Sequence, residues 1–417
     1  MLHRQKWLIG LLAVAALAAA LILLAPWGQD SLAADGIIYV DADATAGAND
    51  GSSWADAFTT LQAALEAVVA GQEIWVAAGT YNPSYRFITE DPRSATFRMV
   101  NGVALFGGFD PSVGDVAWED RDWDANPTIL SGDIGVTGDS ADNAYHVFYH
   151  PDWLALDSTA LLDGLTITGG NADNTNWPHY VGGGMFNGES SPTLIHCTFD
   201  GNSAQYGGGM YNYWGSSPTL VNCGFAGNSA DYSGGGMRNY NASPMLSGCT
   251  FEGNSAGYDG GGMDNYWYAS PTVIRCTFTG NSADLDGGGM HNDAHASPLL
   301  TDCDFESNWA GQVGGGIFNI ESSPELDFCR FTGNSAGYDG GGMYNYQNST
   351  PVLTDCAFTG NSTGPSGKGG GMRNNSSSPT LTGCTFNANT ADDQGGGIYN
   401  WDSPSVLTDC TFTGNSA

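Results

Sequence analysis

From about residue 182 onward, apolar and polar positions alternate in bursts of three or four residues, and the bursts recur every 26 to 28 residues. Nine cysteines mark the period, at 197, 223, 249, 276, 303, 329, 356, 384 and 410. Three positions before each cysteine stands Leu, or Val273 in one unit; two positions after it is always Phe; five after it is always Asn. A further burst, Gly-Gly-Gly followed by Met or Ile, opens each unit and reaches Asn two residues later. Alternation with period two, and no helical spacing, predicts short strands, and a fixed repeat of this length predicts a solenoid.

Cys and Phe, two apart, project to one face of a strand. The aliphatic residue three before Cys breaks that alternation, which predicts a bend between two strands just before Cys. The Gly-Gly-Gly-Met segment supplies a third strand, with Met inward and the following residue outward. Three strands per turn, each lying on its equivalent in the next turn, predict an all-β parallel β-helix with coils of about 27 residues. Stacking explains the repetition: Leu, Cys, Phe and Met form inward ladders, Asn side chains bond to Asn above and below, and Gly supplies the sharp corners. The odd number of cysteines, with one inward thiol per coil, points to free buried thiols rather than disulfides.

Residues 1–34 begin with His3, Arg4 and Lys6, continue as an apolar run from Trp7 to Leu24 and reach small residues at Ser31 to Ala34. This is the pattern of a secretory signal peptide, or of an uncleaved anchor that provides the chain's sole membrane contact. Residues 35–81 read as strand, Gly-rich loop, amphipathic helix and strand; Phe58, Leu61, Ala64, Leu65, Val68 and Val69 have helical spacing, as a cap over the first coil requires. Residues 82–181 form less regular coils, and 182–417 the regular ones. The sequence ends in mid-coil at Ala417, leaving an open edge suited to end-to-end association.

Composition narrows the partners. Acidic residues outnumber basic ones 44 to 11, for a formal charge of −33, and such a field repels nucleic-acid phosphates. An extracellular glycan or protein fits better, and secretion or cell-surface display follows from the leader.

The segment beginning "IYVDADATAGANDGSSWADAFTTLQAALEAV" resembles the N-terminal cap of exported right-handed β-helix proteins of the pectin-lyase-like superfamily. The "FTGN" and "GGGM" coils are similar to the FxxN and GGA repeats of chlamydial polymorphic outer membrane proteins, with Gly here where that motif has Ala. The resemblance implies the fold; because the superfamily mixes lyases, glycosidases and adhesins, it assigns no single activity.

Two functions therefore stay open. In the first, a surface scaffold binds glycan or protein through outward aromatic columns: Tyr211, Tyr344 and Tyr399 (with Phe186 and Phe318) after the inward Met or Ile, and Tyr213, Tyr240, Tyr266, Tyr346 and Trp401 after the Asn, with Trp214 and Trp267 beside them. In the second, a polysaccharide lyase or glycoside hydrolase uses the irregular coils, where Asp133, Asp139 and Asp142 lie near His146 and His150. The five basic residues of the array, Arg238, Arg275, Arg330, Lys368 and Arg373, suggest no cluster and read as solvated. Asp259, Asp286 and Asp339, just before Gly-Gly-Gly, are candidate ligands for a shared Ca²⁺; turn formation is the plainer role for them. No other cofactor is indicated, and repeated near-identical coils favour binding over catalysis.

Overall fold

The computed structural model describes residues 36–114 and 116–417, with one compact unit spanning Ile38–Ala417. The leader, residues 1–34, lies outside the described residues. Among those residues no helix is long and apolar enough to cross a membrane.

The unit is a parallel solenoid with its strands gathered into four long sheets, each named here by its inward residue. The leucine sheet runs from Ile37–Val40 to Val406–Thr408, and the phenylalanine sheet from Gly79–Tyr81 to Thr411–Thr413. The methionine sheet runs from Phe148–His150 to Ile398–Trp401. A fourth, of short strands such as Ser255–Ala256, buries an alanine in seven of its eight strands, with Thr363 at that position in the last. This alanine sheet adds to the three strands expected per turn. Its Ser-Ala pairs are too brief to show as a periodic burst.

In the leucine, phenylalanine and methionine sheets of the regular coils register is one-to-one: Leu220 on Leu246, Phe225 on Phe251, Met237 on Met263 and Asn239 on Asn265. Phe225 and Phe251 lie 4.7 Å apart with planes 3° from parallel. Eight of the nine cysteines are buried, and all nine carry free thiols.

The corners follow from local chemistry. The residue before Cys sits in the left-handed region, as at Asn222 (φ 52°) and Arg275 (φ 51°), which turns the chain from the leucine to the phenylalanine sheet. The next corner is held by asparagine. Asn254 donates its side-chain amide to Phe225 O (2.9 Å) and Asn281 Oδ1 (2.9 Å), and its backbone N–H also reaches Asn281 Oδ1 (3.1 Å). A second ladder in the methionine sheet links Asn187, Asn212, Asn239 and their successors, with His150 Nδ1 on Asn187 Oδ1 at its first rung. Buried amides are thus paired along the whole array.

Helix α1 (Leu61–Ala67) is N-capped by Thr60 and buries Leu61, Ala64 and Leu65. These join the same core as Ile38, Val40 and Ile74, and Val68 packs with them, while Val69 turns outward, 61% exposed.

Candidate functional site

The outer side of the methionine sheet carries two columns. One follows the inward Met and reads Tyr149, Phe186, Tyr211, Arg238, Asp264, His291, Phe318, Tyr344, Arg373, Tyr399. The other follows the Asn and includes Tyr213, Tyr240, Tyr266 and Asp293 in four successive coils.

The second column forms a track. Trp177 meets Tyr213 at 4.9 Å, Tyr213 meets Tyr240 at 5.5 Å, and Tyr240 meets Tyr266 at 5.6 Å. Trp267 lies 5.7 Å from Tyr240 and 6.4 Å from Trp214. The tyrosine rings lean by 35° and 40° from one another and are half-buried, so part of each face stays open, while Trp177, Trp214 and Trp267 are exposed. The track ends at Asp293, which follows Tyr266.

Not every expected aromatic belongs to it. Tyr211 and Tyr344 were expected on the outer surface but are only 5% and 7% exposed, as are Phe186 (3%) and Phe318 (5%). They point away from the core yet are covered. Tyr211 packs with Val181 and Phe186 under Tyr180, Tyr206 and Tyr240, and Tyr344 lies beneath Arg373 and receives a hydrogen bond from Asn375. Tyr399 is half-buried, with Arg373 and Lys368 over its ring. Ile320 precedes Tyr346, and Asn375 separates Tyr346 from Trp401, so these two stand apart from the track.

Sequence reasoning missed Trp177, which lies outside the repeat frame, and a polar break in the first column. In three successive coils Arg238, Asp264 and His291 replace the aromatic residue. Arg238 Nε lies 3.1 Å from one Asp264 oxygen and His291 Nδ1 2.7 Å from the other, with all three side chains largely buried. The Arg238 guanidinium also sits 4.2 Å over the Tyr206 ring. Arg238 and Arg373 are therefore not solvated: Arg373 pairs with Asp339 at 2.9 Å. In a low-dielectric setting these charges persist because each is paired.

The signal for the triplet was present as three non-aromatic residues at an aromatic position. Burial by itself would lower the His291 pKa, but the carboxylates of Asp259, Asp264 and Asp293 outweigh it and raise it to about 9. Burial, then the charge of Asp259, raises Asp286 to about 6. Both groups hold their proton more tightly when folded, so both shifts make stability fall as pH rises, Asp286 between about 4 and 6 and His291 between about 6.5 and 9. His291→Phe, matching Phe318 in the next coil, is expected to flatten the second window. Urea midpoints measured across pH 6 to 9 check this; an unchanged slope would refute the assignment.

Of the three aspartates considered as Ca²⁺ ligands, two stand side by side and the third is set apart. Asp259 pairs with Asp286, but Val313 stands between Asp286 and Asp339, and Asp339 is already bound to Arg373. Among the described residues no three His, Cys, Asp or Glu side chains are placed to hold a metal. In the irregular coils Asp139 caps a short turn by accepting from Ala141 N. His146 and His150 are buried, and burial lowers their pKa values to about 3 and 4.

Residues 266–417 match the family model described as a right handed beta helix region. The chain is a right-handed parallel β-helix. A search of curated proteins returns no match. Among solved structures, the β-helix is similar to pectate lyase Pel9A, at 14% identity over 88% of this chain and 78% of that one, TM-score 0.45. It is also similar to tailspike protein gp49 of Acinetobacter baumannii bacteriophage Fri1, a capsular polysaccharide depolymerase (13% identity, 83% and 57% coverage, TM-score 0.36). A third is the A-module of the Azotobacter vinelandii mannuronan C-5 epimerase AlgE6 (12% identity, 85% and 92% coverage, TM-score 0.32). Likeness at this level assigns no activity to the β-helix.

Proposed function

We propose that this β-helix is a secreted or cell-surface scaffold that binds an extended glycan along the track Trp177, Tyr213, Tyr240 and Tyr266, flanked by Trp214 and Trp267. The observation that carries the reading is the unbroken row of partly open rings, each tyrosine one coil above the last. Such a row offers successive apolar faces with hydroxyls at their edges, which suits pyranose rings joined in a chain. A formal charge of −33 favours neutral or amino-sugar polymers over polyuronates.

Affinity electrophoresis against neutral, cationic and acidic polysaccharides tests this. Tyr240→Ala and Trp267→Ala are each expected to weaken binding by about 1 kcal/mol, roughly five-fold in Kd. Tyr346→Ala and Trp401→Ala, off the track, should bind as wild type. Retardation by none of the polymers, or full affinity in Tyr240→Ala, would refute the reading. A reducing-end assay on the same panel detects the alternative, polysaccharide cleavage.

A further inference from the structure

The segment Asp133–Asn143 forms a loop on the irregular coils, and its neck is closed by Ala144 N–H donating to Gly132 O at 2.8 Å. Three oxygen-bearing side chains are pinned in it, each through one atom. Asp133 Oδ2 accepts from Gly138 N at 2.9 Å, and Asp142 Oδ2 accepts from Val136 N at 2.8 Å. Asn143 Nδ2 donates to Gly169 O at 2.8 Å. In all three the second atom, Asp133 Oδ1, Asp142 Oδ1 and Asn143 Oδ1, is buried without a hydrogen-bond partner among the described residues. Asn143 itself is only 8% exposed.

Asp133 and Asn143 meet through Gly169 at the neck, where Asp142 adjoins Asn143 in the chain. Gly169, which holds the Asn143 amide, backs onto Asp133: a Cβ added there would sit 3.3 Å from Asp133 N. A Cβ on Gly135 would fall 2.2 Å from Asp142 Oδ2, so this carboxylate is folded against the loop's own backbone. Buried acceptors without donors are costly, and two of these three belong to carboxylates.

We propose that the Asp133–Asn143 loop binds a hard divalent cation, Ca²⁺, through Asp133 Oδ1, Asp142 Oδ1 and Asn143 Oδ1. All three atoms are oxygen acceptors, and the loop contains neither His nor Cys, which argues against the softer metals. Two carboxylates balance the charge, and Ca²⁺ completes a flexible shell of six to eight ligands with amide oxygens, backbone carbonyls and water. The site is independent of the glycan track and gives Asp133 and Asp142 a role other than catalysis. Asp139 is excluded, since it serves the turn.

Calorimetric titration of EDTA-treated protein with CaCl₂, in excess Mg²⁺ and physiological salt, tests the proposal. One saturable Ca²⁺ is expected above any weak binding to the acidic surface. Asp133→Asn and Asp142→Asn, which keep the accepting oxygen that each turn uses, should weaken that site at least ten-fold, and Asp139→Asn should leave it intact. Melting in EDTA should match wild type for all three variants, which separates lost binding from lost folding. The absence of a saturable site, or a site unchanged in both Asp133→Asn and Asp142→Asn, would overturn the proposal.

Discussion

Asn281→Ala is expected to lower the stability of the β-helix by about 3 to 6 kcal/mol, although it removes only a small neutral side chain. Asn281 Oδ1 accepts from both the backbone N–H and the side-chain amide of Asn254, and Asn281 Nδ2 donates to Phe251 O and Asn308 Oδ1. Truncation leaves the two Asn254 donors unpaired in a fully buried corner, at about 1 to 3 kcal/mol each before relaxation, and takes from the Phe251 carbonyl the second of its two donors, about 1 kcal/mol more. Thr279→Ala, on the outer side of the neighbouring strand, should stay within about 0.5 kcal/mol. Urea unfolding of the two variants provides the comparison, and equal midpoints would contradict the account.

The second large effect separates two glycines of the same coil. Gly288→Ala is expected to cost about 4 kcal/mol or more, because its Cβ would sit 2.2 Å from Trp309 O and 2.7 Å from Gly315 O, both main-chain atoms of the next coil. The neighbouring coil would have to move, and every coil beyond it depends on its register. Gly280 has positive φ (+61°) but open space around its Cβ position. Gly280→Ala should therefore cost only the left-handed conformational penalty, about 1 kcal/mol. Thermal unfolding of both variants distinguishes close backbone approach from conformational freedom as the reason for glycine. Similar losses in both would refute the distinction.

The inward ladders were readable from sequence because burial, alternation and stacking all act on the same residues. Leu, Cys, Phe and Met recur because each meets its own copy, as Phe225 meets Phe251. The bend before Cys was also legible, as a fault in the alternation. Cover was not. Alternation tells which side of a strand Tyr211 leaves from, but not that Tyr180 and Tyr206, from turns 31 and 5 residues earlier in the chain, lie over it. The same blindness hid the Arg238–Asp264–His291 contacts, which join residues 26 and 27 positions apart and become neighbours only once the coil length is taken as the unit of distance. Within the track, Tyr213, Tyr240 and Tyr266 were found because they share a column; Trp177 lies in the irregular coils and has no repeat to reveal it.

Removing one whole turn tests most directly the claim that the molecule is built by stacking equivalent residues. Deletion of residues 281–307 joins Gly280 to Asn308, which then takes the place of Asn281 in the ladder. The shortened chain is expected to be a folded, cooperative β-helix with the wild-type circular dichroism per residue. Deletion of residues 281–293, about half a turn, puts inward positions outward and is predicted to split or abolish the melting transition. If the two deletions melt alike, stacking in register is not what holds this fold together.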